Sequence, residues 1–335
     1  VELREIGEFG LIARIKKNIP PILPGVLRGI GDDAAISSLT PGTELVSTVD
    51  LLLEGVHFNL SFTSAHLLGR KSLAVNLSDI AAMGANPRFA LLSLAIPPRT
   101  SVEFIDDFVG GVLEMAGAHD VALIGGDTSS SPERLLISVT LLGEGKKENL
   151  VCRCGAQPGD DLYVTGTLGD SLLGLQVAQK REGKPTSSDE VYLMERHLNP
   201  IPRVQEGKTL AERGLARAMI DVSDGLYSDL WHICEESQVG ATVWVERIPL
   251  SAPFQSLATV PEGQNWQWAV KGGEDYELLF SAAPEKALEL KELAQHWKCG
   301  LACIGKVEPF PKGVIIRNEQ GPVDYTFLKG YDHFA

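Results

Sequence analysis

Apolar and polar positions along this chain alternate between helix-like and strand-like periods for almost its whole length. Residues 3–19 (LREIGEFGLIARIKKNI) carry apolar positions at helical spacing after a Gly-Glu-Phe lead-in and stop at Pro20-Pro21, which predicts a helix. ELVSTVDLLL, from Glu44 to Leu53, is rich in strand-forming residues, and residues 89–96, 121–124 and 135–143 read as further strands, with a helix over 102–116. AVNLSDIAAMGANP, residues 74–87, reads as a helix buried on more than one side, capped by Gly84 and stopped by Pro87. The composition turns polar at GEGKKEN, and a domain boundary is expected near residue 150, giving domains 1–150 and 151–335. Beyond it come a strand over 162–165, a glycine turn at 166–169, a helix to about Lys180 and a polar loop over 181–189. A proline-punctuated corner from His197 to Pro202, a helix through Leu215, another over 228–237 and a strand after Gly272-Gly273 complete the second half. Strands and helices in both halves predict an α/β (α+β) class.

With 335 residues, 44% of them hydrophobic, the chain can bury a sizeable core in each of two domains. No apolar run approaches the about 20 residues that span a bilayer, and the first thirty residues lack the apolar core of a signal peptide, so the cytoplasm is expected. The five cysteines match neither a disulfide framework nor a paired CxxC zinc site and read as reduced thiols. A net charge of −14 without clustered Lys and Arg argues against nucleic-acid or anionic-membrane partners. It also means that any bound phosphate needs cations between itself and the carboxylates.

The chemistry gathers at carboxylates beside small residues. Asp79 lies among apolar neighbours, where an ionised side chain is costly unless paired, hydrogen-bonded or bound to metal; a helix-start Asp on free backbone N–H groups is the alternative. In GIGDDAA the adjacent acids point opposite ways if the chain continues as a strand through residues 34–36, and Asp33 is chosen to face a site, against an ordinary surface turn. Asp50 and Thr48 lie in a strand where Asp is disfavoured, and the nearby His57 reads equally as a satisfied turn histidine. Gly125-Gly126-Asp127-Thr128 after a strand suits a phosphate-facing loop or a plain β-turn. DVSDGL carries Asp221 and Asp224 before a glycine, repeating the design. Six such carboxylates, Asp33, Asp50, Asp79, Asp127, Asp221 and Asp224, would repel one another without cations. Hard oxygen ligands select Mg²⁺, which favours a few carboxylates plus phosphate oxygens and so points to nucleotide chemistry. No Walker-type GxxxxGK[ST], no dinucleotide-binding GxGxxG and no GxSxG elbow is present.

In order, GIGDDAA, STVDLLLEGVHF, AVNLSDIAAMGANP, IGGDTS, DVSDGL, GGEDYELLF and KGYDHF resemble the thiamine-monophosphate kinase family across nearly the whole chain. The resemblance implies ATP-dependent phosphorylation of thiamine monophosphate to thiamine diphosphate. It implies a two-domain fold like that of aminoimidazole ribonucleotide synthetase, with N-terminal strands forming a β-barrel in a homodimer and a C-terminal α/β domain completing the active site. It carries magnesium ligands onto Asp33, Thr48, Asp50, Asp79, Asp127, Asp221 and Asp224, with several ions expected. Nucleotide contacts fall on Gly126, Asp127, Arg153 and Ser223, and substrate contacts on His57 and Glu274. His119 stands where relatives place an aromatic near adenine, and Leu328, beside Phe327, where relatives carry Trp for the substrate ring. Asp79 and Asp50 are expected to bridge metals beneath the phosphates. Asp33, Asp221 and Asp224 would hold the acceptor-side ions, and Arg153 would offset charge on the nucleotide. Rivals are another ATP-dependent member of the superfamily and a non-catalytic magnesium-nucleotide binding protein; selenophosphate synthetase would need a reactive residue early in the chain, whereas the first cysteine is Cys152.

Overall fold

The computed structural model describes residues 3–19, 24–258, 265–310 and 313–323. The chain divides into two compact units, one formed by residues up to Ile80 with Ala85–Glu148, the other by Ala81–Gly84 with the chain from Asn149 onward.

In the first unit, α1 (Leu3–Asn18) is broken at Gly7, whose φ of 64° suits only glycine without strain. A two-stranded antiparallel ribbon follows, β1 (Val26–Arg28) with β2 (Ile36–Ser37). The strand expected over 34–36 is thus confined to its last residue and the next, because Asp32 and Asp33 lie in an exposed bend. The main sheet has the order β3-β6-β4-β5, built from β3 (Glu44–Leu53), β4 (Asn86–Ile96), β5 (Ala122–Ser130) and β6 (Leu136–Gly145). Only β4 and β5 run parallel. Its one face buries Leu92, Leu94, Ile96, Ile137, Val139 and Leu141. On β3 the opposite face leaves Leu45, Val49 and Leu51 exposed, with Val49 at 61%. No closed barrel forms among the described residues.

Helix α2 (Ala65–Ala82) begins nine residues before the expected start at Ala74. Its buried Lys71, Ser72 and Asn76 interrupt the apolar pattern from which the helix was read. The helix packs closely on α3 (Val102–Ala118): a Cβ at Gly69 would meet the Phe108 carbonyl oxygen at 2.0 Å, and one at Gly111 the His66 carbonyl oxygen at 2.0 Å. Ser101 caps α3, its hydroxyl accepting from the Phe104 N–H at 3.1 Å.

The second unit holds a seven-stranded sheet of order β13-β12-β9-β11-β7-β10-β8. In chain order these are β7 (Asp161–Thr165), β8 (Ala218–Asp221), β9 (Val239–Trp244), β10 (Leu278–Ala282), β11 (Leu301–Pro309), β12 (Val314–Asn318) and β13 (Gly321–Pro322). Every pairing but β12 with β9 is antiparallel. Both β8 and β10 are buried throughout, which explains their unbroken runs of buried residues. Around the sheet run α4 (Asp170–Arg181), α5 (Ser188–Leu198), α6 (Val204–Glu212), α7 (Leu226–Ser237), α8 (Ala252–Leu257), α9 (Trp266–Lys271) and α10 (Ala287–Ala294). The stretch 181–189 is a loop only in its middle, since α4 reaches Arg181 and α5, a helix the sequence pattern does not announce, begins at Ser188; Ser187 caps it by accepting from the Glu190 N–H at 3.2 Å. Its close approach to α4 depends on Gly174, whose Cβ would meet the Leu193 carbonyl oxygen at 1.9 Å.

Candidate active site

In the first unit, β3 points Thr48 and Asp50 to one face, and α2 brings Asp79 to them. The Thr48 hydroxyl donates to Asp79 Oδ2. Asp79 stands near the C-terminal end of α2, so the alternative in which it caps free N–H groups at a helix start does not hold. Burial first, and then the nearby Asp79 carboxylate, push the Asp50 pKa up to about 7. Two carboxylates and a hydroxyl facing one another supply only hard oxygen donors, and their mutual repulsion is what a bound divalent cation would relieve, so these residues fit magnesium.

Asp127 does not join this group within the first unit. The sequence suggested a loop at Gly125-Gly126-Asp127-Thr128, but these residues continue β5, paired with Leu91 to Leu94 of β4. Cross-strand pairing overrides the poor strand propensity of Gly and Asp. Register aligns Asp127 with Ser93, Ser138 and Leu51, one row on from Asp50, Val139, Leu92 and Gly126, so the two aspartates occupy opposite edges and opposite faces of the sheet. Gly126 is required where it stands: its φ is 154°, and a Cβ there would meet the Leu92 carbonyl oxygen at 1.8 Å.

Asp33 is exposed in the bend after β1, where its N–H donates to Asp32 Oδ1 at 3.0 Å and Asp32 pairs with Arg28. His57 occupies a turn in which its Nδ1 accepts from the Leu53 N–H at 3.0 Å, leaving the proton of the neutral ring on Nε2. His119 is the residue that ends α3; burial, partly opposed by Asp120, holds its pKa below the ordinary histidine range. Beside it a cavity of about 350 Å³ opens between α1, α3 and β5, lined by Lys16, Leu113, Ala116, Gly117, Asp120 and Ile124 among others.

In the second unit Asp221 is buried at the end of β8, and Ser223 and Asp224 follow in the loop that leads into α7. That loop is bonded to the glycine-acid loop before β10: the Glu274 N–H donates to the Ser223 carbonyl at 2.8 Å and the Tyr276 N–H to the Val222 carbonyl at 2.9 Å. Gly273 permits the approach, since a Cβ there would meet the Ser223 carbonyl oxygen at 2.4 Å. Asp221, Ser223, Asp224 and Glu274 therefore belong to one local site.

Sequence reasoning missed Asp229. One oxygen of its carboxylate, Oδ2, accepts from the N–H groups of Ser223, Asp224 and Gly225 at 3.1, 3.2 and 3.1 Å, fixing the loop that carries the other acids. Burial, then Asp221 and Asp224, push its pKa up to about 8 against those hydrogen bonds. This acidic group again fits a divalent cation. Arg153 is exposed on the segment whose carbonyl accepts from Ser237 Oγ at 3.0 Å, and the flanking Cys152 and Cys154 are exposed; all five cysteines are free of disulfides, with Cys234 buried and Cys299 and Cys303 half-buried. Leu328, Phe327 and the KGYDHF segment lie outside the described residues. Among the described residues no three His, Cys, Asp or Glu side chains already form a metal cage, and no helix is long and apolar enough to cross a membrane.

Comparison with known proteins accounts for both units. Residues 31–144 match the N-terminal domain of AIR synthase related proteins and residues 157–318 the C-terminal domain. The chain is 39% identical over 329 residues to the thiamine-monophosphate kinase of Escherichia coli K12, covering 98% of each chain. It is similar to the crystal structure of the thiamine-monophosphate kinase of Stenotrophomonas maltophilia K279a, at a TM-score of 0.81 and 39% identity over 91% of this chain and 94% of that one. A structure described as AaThiL complexed with AMPPCP and TMP matches at a TM-score of 0.77 and 33% identity, over 100% of this chain and 99% of the other.

Proposed function

Because the chain belongs to the thiamine-monophosphate kinase family of AIR synthase related proteins, we propose that it transfers the γ-phosphoryl group of ATP to thiamine monophosphate, giving thiamine diphosphate and ADP. The observation that carries this reading is the likeness over the whole chain to a protein solved with AMPPCP and TMP, at 33% identity. A phosphate oxygen of the acceptor attacks the γ-phosphorus in line, and the bond from that phosphorus to the β–γ bridging oxygen breaks as ADP leaves. Since a phosphate monoester is largely dianionic near neutral pH, its second pKa being about 6, no side chain need remove a proton from it. The protein's task is to hold two mutually repelling anions together in the right orientation.

Thr48, Asp50, Asp79, Asp33 and Asp127 of the first unit, and Asp221 and Asp224 of the second, would hold magnesium in this reading. Several such ions, when bound, supply the positive charge that neutralises both phosphates. Gly126 gives the nucleotide bare backbone, Arg153 an exposed positive charge and Ser223 a hydroxyl. The apolar cavity between α1, α3 and β5 suits the adenine base, with His119 adjacent to its rim residue Asp120. His57 offers an Nε2 donor to the acceptor, and the Glu274 carboxylate offers a counter-charge to a cationic thiazolium ring. The first unit is thus read as the domain of nucleotide binding and dimerisation and the second as the acceptor-side domain.

The exposed Leu45, Val49 and Leu51 support a homodimer in which two such open sheets close a barrel. A cytoplasmic setting is part of the same reading, supported by five free cysteines. Incubation with Mg-ATP and thiamine monophosphate tests the function: thiamine diphosphate and ADP should accumulate in equal amounts, while unphosphorylated thiamine and aminoimidazole ribonucleotide precursors stay unchanged. Turnover of the precursors instead would shift the assignment to another member of the superfamily.

A further inference from the structure

The last turn of α5 and the residue that caps α6 have no part in the reading so far, yet three of their side chains grip the loop that carries Glu274. Arg203 holds the fully buried Glu277 through Nε at 2.7 Å and Nη2 at 2.5 Å, and Arg196 Nη2 holds it at 2.8 Å. His197 reaches further along the loop: its Nδ1 lies 3.3 Å from Glu274 Oε2 and 3.0 Å from Ser171 Oγ. The histidine side chain is 4% exposed and that of Glu274 is 31% exposed, so a buried ring meets a carboxylate at the rim of the site. A carboxylate at this distance calls for the proton on Nδ1, shared between the Ser171 hydroxyl oxygen and Glu274.

The main chain of the loop is held on both sides of Glu274. Its φ is 61° and that of Tyr276 is 52°, a left-handed backbone that non-glycine residues rarely adopt. The Glu274 N–H is fixed on the Ser223 carbonyl, and the next residue, Asp275, accepts from the N–H groups of Gly169 and Ser171 at 2.6 and 3.0 Å. Ser171 thereby joins the loop twice, through its N–H to Asp275 and through its hydroxyl to His197. With the main chain held on both sides, the remaining freedom is rotation of the Glu274 side chain, and His197 restricts it.

We propose that His197, seated by Ser171, is a positioning residue that aims the Glu274 carboxylate at the positively charged acceptor, and so governs acceptor affinity without touching the nucleotide. This rests on the acceptor role given to Glu274 in the preceding section. The test uses the full chain and four variants: H197F, which keeps the ring volume and loses Nδ1; H197N, whose amide can restore a donor near that position; E274Q; and H197F combined with E274Q. A hydrogen bond to a charged group corresponds to about tenfold or more in affinity. H197F should therefore raise KM for thiamine monophosphate by about tenfold while KM for ATP stays within about twofold. H197N should recover most of the loss, and H197F should add nothing further once Glu274 is already Gln. Equal rises in both KM values, an unchanged acceptor KM, or multiplicative effects in the double variant would overturn the positioning role while leaving the kinase reading intact. A wild-type protein that does not phosphorylate thiamine monophosphate would overturn the kinase reading and this inference with it, and is distinguished by appearing before any substitution is made.

Discussion

Thr48 and Asp79, 31 residues apart, are joined by a hydrogen bond from the threonine hydroxyl to the aspartate Oδ2, which ties β3 to the last turns of α2 and sets Asp79 against Asp50. The pair of acids is a stability cost kept for function. Asp79→Asn should lower turnover by about 100-fold or more, yet raise the melting temperature in EDTA by about 2–4 °C because a like charge beside Asp50 is gone. A variant that melts lower and keeps its turnover would contradict the role assigned to these carboxylates. Thr48→Val should have the smaller effect, about tenfold on turnover, since it removes one donor and no charge.

Gly126 gives a prediction of opposite kind. An alanine there drives its Cβ into the Leu92 carbonyl at 1.8 Å, so β5 must shift away from β4. Gly126→Ala should cost about 2 kcal/mol or more in urea unfolding and weaken ATP binding with it. Unchanged stability would mean that β5 does not follow the register found here.

The exposed apolar residues of β3 make the proposed homodimer testable. Val49→Lys with Leu51→Lys should convert the protein from dimer to monomer in sedimentation velocity at micromolar concentration, because two charges would be buried in an apolar interface. A dimer that survives both changes must be built on another surface.

Acid stability follows from Glu277. Burial alone would raise its pKa, but Arg203, Arg196 and the Thr165 hydroxyl more than offset this and hold it below the ordinary glutamate range. A depressed carboxylate pKa contributes stability above the unfolded-state value, about 4.3, that is lost as pH falls through the lower folded-state value. The contribution of Glu277 to the unfolding free energy should thus be fully present and independent of pH near neutrality, and should fall on acidification below about pH 4. Glu277→Gln should cost about 3–5 kcal/mol at pH 7 by leaving two buried guanidinium groups undercompensated, with the gap to wild type narrowing as pH falls.

Much of this architecture could be read from periodicity, and the exceptions have physical causes. The alternation over Glu44–Leu53 and the Ser101-capped α3 are local signals, and both elements are found close to where the sequence suggested them. By contrast, β5 continues through Gly125-Gly126-Asp127-Thr128 because pairing with β4, a non-local effect, outweighs local propensity. The start of α2 was hidden by buried polar residues, whose partners cannot be known from the chain alone. Within the site, Asp50 was conspicuous because an aspartate is out of place in a strand. Asp229 was not, because an acid in the first turn of a helix is ordinary, and only the fold turns its carboxylate back onto three N–H groups of the preceding loop. His197 was visible only as part of a proline corner, since its contacts with Ser171 and Glu274 arise from tertiary packing.

Direct transfer between two phosphates is decided by where the phosphorus atom goes. With enzyme in excess over ATP labelled in its γ-phosphate, and with magnesium and thiamine monophosphate present, the label should pass in a single turnover into the terminal phosphate of thiamine diphosphate, and EDTA should stop it. Label found as free phosphate, held on the protein, or absent from thiamine diphosphate would contradict direct transfer between the two phosphates.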